Sequence, residues 1–366
     1  MGFWIALLVF AMLLTLAGIF YLLTRFRRLS FITRLGEKNR VLPWLAAALC
    51  LLPVAAFALI NLPTLFIVVI HLVVFFALAD LLGLVIRRAA KREWSADLRT
   101  FAALLFCIVY LGVGWYQAHH VSVTGYTVRS EKLQTGERMR VVLIADSHLG
   151  ITLNGAAFAR EMERVRETEP DAVVIVGDFV DDDSKKEDML AACRALGALE
   201  APRGVWFVYG NHDNGYYEYR DFSSAELRAA LTENGVRILE DEVVSLDGAF
   251  DLVGRRDRSM RERASAEALT AGLDRGRFSI LLDHQPNDYE NEAGRADLVL
   301  SGHTHGGHIF PAGPIGELFG ANDLTYGLEE REGTTFIVTS GISGWAIPFK
   351  TGTRSEFAVI DVVPAA

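Results

Sequence analysis

The chain has 366 residues, of which 51% are hydrophobic, and its formal net charge is −9. That charge combines +7 in residues 1–120 (11 basic, 4 acidic) with −16 in residues 121–366 (25 basic, 41 acidic). The composition excludes a disordered chain, a collagen-like repeat and a disulfide scaffold. The acidic later part argues against nucleic acid as a partner, because phosphate contacts need a basic surface, although metal ions can bring a single phosphate group to it.

Four apolar segments predict a four-helix transmembrane region over residues 1–120. The segments are residues 3–23, 41–60, 62–86 and 100–118. About 20 apolar residues in a helix cross a bilayer core. Asn61 and Pro63 interrupt the long run 41–86, which is therefore predicted to form a tight helical hairpin. Four of the six tryptophans lie near segment ends, where an amphipathic ring suits the membrane interface: Trp4, Trp44, Trp94 and Trp115.

The basic residues predict the orientation of this region. All 11 lie in the loops that follow the first and third segments. Basic loops stay in the cytoplasm. We therefore expect a multi-pass protein of the cell membrane whose later part, residues 121–366, lies outside the cytoplasm. The first segment has neither a basic n-region nor a small-residue cleavage site, so we expect it to be retained.

The third segment contains two polar residues, His71 and Asp80. One interpretation is an ion or proton path, and the other is a contact that packs the helices. A single acid is thin evidence for transport, so packing is favoured.

Residues 121–366 are predicted to form one α/β domain. Short β-branched runs alternate with helical stretches, which favours parallel strands with helices outside. Strands are predicted at 140–145, 172–176, 205–209, 278–282, 298–301, 335–339 and 357–362. Helices are predicted at 156–169, 185–199 and 224–234. Cys193 is the one cysteine of this part, so an internal disulfide is excluded.

Five polar clusters follow predicted strands. They read Asp146-Ser147-His148, Gly177-Asp178-Phe179-Val180-Asp181, Gly210-Asn211-His212-Asp213, Asp283-His284 and Gly302-His303-Thr304-His305. Open α/β sheets bind ligands at the C-terminal ends of their strands, so the clusters are expected to meet at one edge. Residues two apart in an extended chain point the same way, which pairs Asp146 with His148 and His303 with His305.

The side chains in these clusters predict a metal centre. Carboxylate, imidazole and amide groups without thiolates suit Mn, Fe or Zn. There are more of them than one tetrahedral ion needs, which favours two divalent ions that share a bridging carboxylate. Five of the six histidines after residue 121 fall in the clusters. Four of the clusters are weak signals alone, several of them compatible with a structural turn, and Gly302-His303-Thr304-His305 is moderately specific; the ordered set of five is strong evidence.

In this order the clusters resemble the motifs of the calcineurin-like metallophosphoesterases, over roughly residues 140–366. The resemblance implies a four-layer α-β-β-α sandwich and metal-dependent hydrolysis of phosphoric esters by a metal-bridging hydroxide. It implies that one ion is held by Asp146, His148, Asp178 and His305. It implies that the second is held by Asp178, Asn211, His284 and His303, with Asp178 as the bridge. His212 is implied to be a catalytic histidine that does not bind metal.

Residues 302–307, together with Ser340-Gly341 and Pro348-Phe349-Lys350, resemble the bacterial envelope subgroup of that family. There, glutamine follows Gly-His-Thr-His-Gly-Gly, whereas this chain has His308. Substrate contacts are therefore expected to differ at His308, which contacts phosphate or bonds within its loop, while the metal ligands are retained.

Other neighbours of the clusters have two interpretations each. Asp213 either orients His212 as a catalytic partner or is a turn acid, and Asp181 is expected to support a ligand from behind. Asp182 and Asp183 are expected in a solvated loop. The three tyrosines that follow either line a substrate pocket, dip toward the membrane or pack half-buried: Tyr216, Tyr217 and Tyr219.

Two functions compete. The first is a membrane-anchored two-metal phosphoesterase whose partner is a phosphorylated small molecule or lipid-linked substrate of the envelope, cleaved at a phosphodiester or pyrophosphate bond. The alternative is a metal-dependent sensor, receptor or transporter without turnover. The complete ligand set, the single intramembrane acid and the lack of a helix repeat argue against this alternative. Oligomeric state is left open by the sequence.

Overall fold

The structure is a computed structural model that describes residues 12–37, 39–215 and 220–365, and also the helical backbone of residues 2–11. The chain divides into two compact units, with the boundary between Val113 and Gly114. The tyrosines at 216, 217 and 219 lie outside the described residues, so the interpretations offered for them remain predictions.

The first unit is helical. Its helices are α1 (Gly2–Phe26), α2 (Ser30–Thr33), α3 (Leu42–Ala55), α4 (Leu62–Ala90) and α5 (Ala96–His119), whose last residues belong to the second unit. Short 3₁₀ turns cover Arg34–Glu37 and Ala56–Leu59.

Three described stretches are long and apolar enough to cross a membrane: Leu42–Leu59, Leu62–Ala90 and Ala96–His119. The first predicted segment lies in α1, of which Met12–Phe26 is apolar but shorter. The side chains of residues 3–11 lie outside the described residues. The structure therefore supports three of the four predicted helices, and the first remains a prediction.

The predicted hairpin has its turn at Asn61. The Asn61 side chain accepts the backbone N–H of Thr64 at 2.8 Å and so caps the start of α4. Pro63 lies in the first turn of α4, where its missing N–H has no helical partner to lose.

The polar groups of α4 have partners within the first unit. The Asp80 carboxylate lies 2.8 Å from Arg25 and 3.1 Å from Arg99, and it accepts a hydrogen bond from Tyr21. His71 Nδ1 lies 2.7 Å from the Ile67 carbonyl one turn earlier. These contacts fit the packing interpretation, because the charge is neutralised between helices.

The second unit contains two mixed six-stranded sheets. The strands of the first sheet are β1 (Ser122–Ser130), β2 (Met139–Ile144), β3 (Ala172–Val176), β4 (Val205–Val208), β5 (Arg237–Ile238) and β12 (Glu356–Pro364). Its order is β1-β12-β2-β3-β4-β5, and β2 to β5 run parallel while β12 is antiparallel to β2.

The strands of the second sheet are β6 (Glu242–Ser245), β7 (Phe250–Gly254), β8 (Phe278–Leu282), β9 (Leu298–Ser301), β10 (Gly327–Arg331) and β11 (Thr334–Val338). Their order is β10-β11-β9-β8-β7-β6. The central four strands are parallel, and the edge strands β6 and β10 pair antiparallel.

The helices of the second unit are α6 (Gly155–Arg166), α7 (Lys186–Gly197), α8 (Ser224–Glu233), α9 (Ala266–Thr270), α10 (Tyr289–Glu292) and α11 (Ala312–Leu318). A 3₁₀ turn covers His305–Gly307. Side-chain caps begin α6 and α8: Asn154 accepts the Ala157 N–H, and Ser223 and Glu226 form a reciprocal capping box.

Three cores define the layers. One lies between the sheets and includes Val174 from the first and Ile280 from the second. Another packs the first sheet against α6, α7 and α8 through Phe158 and Leu227. A third covers the outer face of the second sheet and includes Tyr289 of α10. The order helix, sheet, sheet, helix confirms the predicted four-layer α/β sandwich.

The seven predicted strands and three predicted helices of this unit are present, with ends shifted by three residues at most. Five strands were not predicted: β1, β5, β6, β7 and β10. Polar residues or glycine break their apolar runs, or they are only two residues long. The expectation of parallel strands was correct for the sheet centres and wrong at β12, β6 and β10, which pair antiparallel.

Candidate metal centre

The five polar clusters lie at the C-terminal edges of the parallel strands. Asp146 and His148 follow β2, and Asp178 follows β3. Asn211 and His212 follow β4, the next parallel strand in the sheet. The three remaining histidines follow β8 and β9, which are parallel neighbours in the other sheet: His284, His303 and His305. Strand direction therefore brings these groups to one end of the sandwich.

Six of the seven predicted ligands form two groups, in each of which one ligand atom per residue lies within 4.8 Å of the others. The groups are Asp146, His148 and His305, and Asp178, His284 and His303. Asp178 lies between them, with Oδ2 3.1 Å from His284 Nε2 and 3.6 Å from His148 Nε2. This is the position that a carboxylate shared by two ions requires.

Asn211, the seventh predicted ligand, precedes His212, whose backbone N–H donates to Asp178 Oδ1 at 2.9 Å. The amide thus belongs to a loop bonded to the central carboxylate. Its role as a ligand remains a prediction, as do the ligand roles of the other six residues.

The backbone at this site is held in an uncommon conformation. Five predicted ligands have positive φ angles: Asp146 (55°), His148 (34°), Asp178 (52°), His303 (70°) and His305 (49°). Non-glycine residues in this region cost about 1–3 kcal/mol each and concentrate at functional sites. The surrounding hydrogen bonds offset that cost, as where the His303 N–H donates to both Asp146 oxygens at 2.9 Å.

Glycines of the clusters permit close approach. A Cβ at Gly210 would lie 2.2 Å from Asp178 Oδ1, and one at Gly177 would lie 2.4 Å from His284 Nδ1. Gly177 also has a φ of 76°. A larger residue at Gly210 would displace the Asp178 carboxylate, and one at Gly177 would displace the His284 ring.

Asp213 supports the loop that carries Asp178. Its buried carboxylate accepts backbone N–H groups from Asp178 (3.0 Å), Phe179 (2.8 Å), Val180 (3.1 Å) and Gly210 (2.7 Å). These bonds join the ends of β3 and β4. That Asp213 also orients His212 remains a prediction.

Asp181 lies behind a predicted ligand, since its Oδ2 is 3.2 Å from His148 Nδ1. Such a contact orients a metal-binding histidine and fixes its tautomer. Asp183, by contrast, is exposed, as expected for a solvated loop.

The two carboxylates at the centre have histidines as their ionic partners. Among the described residues, no lysine or arginine forms an ion pair with Asp146 or Asp178. Burial raises the pKa of Asp146 to about 6. Burial acts the same way on Asp178, but His284 and His148 outweigh it and hold the pKa of Asp178 below its usual range. Buried carboxylates of this kind need a positive partner.

The histidines offer lone pairs to such a partner. Burial, then His284, lowers the pKa of His303 to about 4; burial and His148 lower that of His305 well below its usual value. His284 Nδ1 lies 2.8 Å from the Val176 carbonyl, which leaves Nε2 facing the centre. His303 Nδ1 is buried and has no hydrogen-bond partner, and His284 Nε2 faces only the Asp178 carboxylate, 3.1 Å away. Two carboxylates and four imidazoles that meet at one site fit divalent metal ions.

Sequence reasoning assigned no role to Trp345, which borders the centre. Its exposed indole ring lies 5.5 Å from the His212 ring and 6.5 Å from the His148 ring. A signal was available, because Trp345 is one of only two tryptophans outside the apolar segment ends and lies in a glycine-containing stretch.

Two further residues lie behind the histidines. Lys350 is fully buried, and its Nζ donates to the carbonyls of Ser340 (2.6 Å) and Gly341 (3.2 Å); burial lowers its pKa to about 7. The His308 ring stacks on that of His305 at 5.3 Å. His308 is thus placed beside the centre, and a contact to phosphate remains a prediction.

Known proteins are similar to this chain in sequence. Residues 139–307 match the model of the calcineurin-like phosphoesterase family. An uncharacterized metallophosphoesterase of Helicobacter pylori is 31% identical over 73% of this chain and 72% of its own length. One from Aquifex aeolicus is 31% identical over 70% of this chain and 98% of its own length. A transmembrane protein with metallophosphoesterase domain from Danio rerio is 31% identical over 75% of this chain and 65% of its own length.

Proposed function

This chain belongs to the calcineurin-like phosphoesterase family and is a membrane-associated, metal-dependent phosphoesterase, and we propose that it hydrolyses phosphodiester or pyrophosphate bonds of an envelope or lipid-linked substrate. The observation that carries the proposal is the placement of Asp178. This buried carboxylate lies between two groups of ligand atoms and has no lysine or arginine ion partner among the described residues. Such a site is suited to two divalent ions that share one ligand.

We assign the ligands as the geometry supports them. One ion is held by Asp146, His148, Asp178 and His305, and the other by Asp178, Asn211, His284 and His303. The donor set of oxygen and nitrogen without sulfur suits Mn, Fe or Zn. When bound, such ions would supply Lewis acidity, which makes water a stronger nucleophile and neutralises charge on the phosphoryl oxygens.

The chain's own residues position the reacting groups. The bonds from Asp213 to four N–H groups hold Asp178 in place. The His212 ring lies 5.0 Å from the His148 ring, so it borders the proposed reaction centre. Burial lowers the pKa of His212, which favours a neutral imidazole at pH 7. As a neutral imidazole, His212 stabilises the charge on the leaving oxygen by donating a hydrogen bond; the alternative role, protonation of that oxygen, requires the imidazolium form.

Substrate class is inferred from the surroundings of the centre. The exposed Trp345 indole beside His212 offers an apolar face to the group attached to the phosphate. The same chain also contains helices that are long and apolar enough to cross a membrane. Both features support a substrate with an apolar or lipid part.

Hydrolysis by the purified full-length protein tests the proposal. The chelated protein is assayed alone and after addition of Mn²⁺, Fe²⁺ or Zn²⁺, with a chromogenic phosphodiester and the matching monoester. We expect metal-dependent turnover, and we expect Asp178→Ala to abolish it. Asp183→Asn should retain it, because Asp183 is an exposed acid of the same loop. Two bound metals without turnover of these compounds or of extracted envelope lipids would instead favour the sensor.

The topology is a second part of the proposal. Residues 1–120 form a multi-pass membrane region, and residues 121–366 form the catalytic domain outside the cytoplasm, as the 11 basic loop residues indicate. Cys193 is unsuitable for a labelling test, since it is fully buried and burial raises its pKa to about 12. Val243→Cys, at an exposed position, is expected to react with an impermeant maleimide in intact cells. Arg28→Cys, in a predicted cytoplasmic loop, should react only after permeabilisation; the reverse pattern would overturn the orientation.

A further inference from the structure

An apolar segment of the second unit is exposed directly after the metal-centre histidines. It comprises residues 309–320, which contain α11, and is called the apolar loop below. Leu318 and Phe319 are each 80% exposed, and Phe310 and Ile315 are also exposed. Exposed apolar groups this close together in sequence mark a surface that contacts another apolar phase.

The apolar loop is held in place rather than loosely attached. Glu317 is its one charged residue, and its carboxylate accepts the backbone N–H of Thr325 at 2.7 Å. The Thr325 hydroxyl in turn donates to the Gly313 carbonyl at 3.3 Å. The polar groups of the loop are thus used internally, and its large apolar side chains are left outside.

Hydrogen bonds join the apolar loop to the last turns of α5, which belong to the same unit. The Phe310 N–H donates to the Thr351 hydroxyl at 3.1 Å, and the N–H of the preceding Lys350 donates to the Gly114 carbonyl at 2.9 Å. The Ser355 N–H donates to the Gln117 carbonyl at 2.8 Å. Residues 350–355 therefore bridge the end of α5 and the start of the apolar loop.

The end of α5 has the features of a helix that leaves a membrane. Ala96–His119 is long and apolar enough to span, and Trp115 and Tyr116 near its end are exposed. Aromatic side chains of this kind concentrate at the membrane–water interface. Because a helix rises about 1.5 Å per residue, Gly114 lies roughly 8 Å before His119 along the axis. Lys350, whose N–H is bonded to the Gly114 carbonyl, is thus expected at the depth of the membrane–water interface.

We propose that the apolar loop inserts into the membrane interface on the side of the bilayer where α5 ends. Leu318 and Phe319 bury their side chains at the boundary between head groups and acyl chains, as interfacial helices do. The loop begins four residues after His305, and the His308 carbonyl accepts the N–H groups of Thr351 and Gly352. Insertion therefore holds the metal centre at head-group level, where the proposed lipid-linked phosphoesters lie; this last clause rests on the proposed function.

Depth-dependent fluorescence quenching of the full chain tests the insertion without any enzyme assay. Leu318→Cys is labelled with an environment-sensitive dye in a Cys50→Ala background, because Cys107 and Cys193 are buried. The protein is reconstituted into vesicles of phosphatidylethanolamine and phosphatidylglycerol. Val243→Cys, an exposed apolar position on an edge strand of the second sheet, is the matched control.

We expect spin-labelled lipid to quench the dye at position 318 severalfold more strongly than the dye at position 243. We also expect the dye at position 318 to be protected from aqueous iodide. Equal quenching by iodide at both positions, without lipid quenching at 318, would overturn the proposal. Protection at 318 from both quenchers would also overturn it, because it indicates that protein covers the loop. Neither outcome depends on turnover, so failure here is distinct from failure of the proposed function.

A double variant tests the consequence for catalysis. Leu318→Glu with Phe319→Glu places two charges at the proposed interface, outside the metal centre. Hydrolysis of a soluble chromogenic phosphodiester is expected to be unchanged, while hydrolysis of a phosphoester embedded in vesicles falls severalfold. If the variant hydrolyses both substrates at the rates of the unchanged protein, the loop has no role in reaching membrane substrates, even where the quenching result holds.

Discussion

The adjacent residues Asp283 and His284 take part in two buried clusters whose charges are balanced in different ways. His284 belongs to the metal centre, where Asp146 and Asp178 have only histidines as ionic partners among the described residues. Asp283 contacts two arginines, at 3.1 Å from Arg255 and in a short ion pair with Arg263. We call this second group the arginine cluster.

The carboxylates of the arginine cluster have arginine partners. Arg255 Nη1 also lies 2.7 Å from Asp288 and 3.0 Å from Glu292. Burial and the neighbouring Asp283 raise the pKa of Glu292 well above its usual value, which favours its neutral form. Arg255 and Arg263 thus provide ionic partners for the carboxylates of this cluster.

The comparison distinguishes a structural acidic cluster from a ligand site. Buried acids with arginine partners are closed to metals and contribute to the fold, although removal of one partner is costly. Buried acids that face free imidazole nitrogens are left with a negative charge that a divalent ion can neutralise. Sequence motifs alone do not separate the two, because Asp283 and His284 are neighbours in one motif.

The largest expected effect is at Asp178. Asparagine keeps the shape of the side chain but removes the charge that two ions share. Asp178→Asn is expected to lower turnover on the order of a thousandfold, which corresponds to several kcal/mol of lost transition-state stabilisation. Elemental analysis should show less bound metal, while His308→Gln, beside the centre, retains it. Full turnover by Asp178→Asn would show that the charge of Asp178 is not needed to bind the ions.

Arg255→Met should affect folding rather than chemistry. It leaves the buried Asp283 with Arg263 alone and removes the arginine partner of the half-buried Asp288, so we expect the free energy of unfolding to fall by about 3–5 kcal/mol. Thermal unfolding in detergent, followed by the fluorescence of tryptophans such as the buried Trp206, measures this loss. Added metal should not restore the stability; restoration would mean that the arginine cluster is itself a metal site.

Asp213→Asn tests how the centre is held. The amide places N–H donors against the backbone N–H groups that Asp213 now accepts, which loosens the Asp178 loop. Metal affinity is expected to fall about 10–100-fold, as for other residues that support ligands. Titration of the chelated protein with Mn²⁺ gives the affinity. Intact affinity with a lower kcat and an altered pH profile would instead indicate that Asp213 orients His212.

Arg140→Met is the smallest expected effect and calibrates the others. Arg140 pairs with Asp361 at 2.7 Å, but both side chains are more than a third exposed. Exposed ion pairs contribute about 0–1 kcal/mol, so the unfolding midpoint should hardly change. A loss as large as that of Arg255→Met would show that burial does not explain the difference between the two arginines.

Much of the fold and of the candidate site was predictable from sequence because the signals are local. Apolar runs 172–176, 278–282 and 298–301 have the bounds of the observed strands. The polar clusters follow them directly, and parallel strands must end at the same edge. Asp178 and His284 follow strands of different sheets, so the packing of one sheet on the other brings them together, although they lie more than 100 residues apart.

Tertiary structure alone decided the balance of charge and the shape of the rim. Arg255, Asp288 and Glu292 carry no motif, and their meeting depends on how a loop and α10 pack on the second sheet. Trp345 reaches His212 through a loop that has no strand to fix its direction. The sequence does not show that the apolar loop is exposed, because exposure depends on what covers a residue in the folded chain. Sequence thus determines which groups leave each strand end, while packing across the sandwich determines which charges meet a partner and which remain free to bind one.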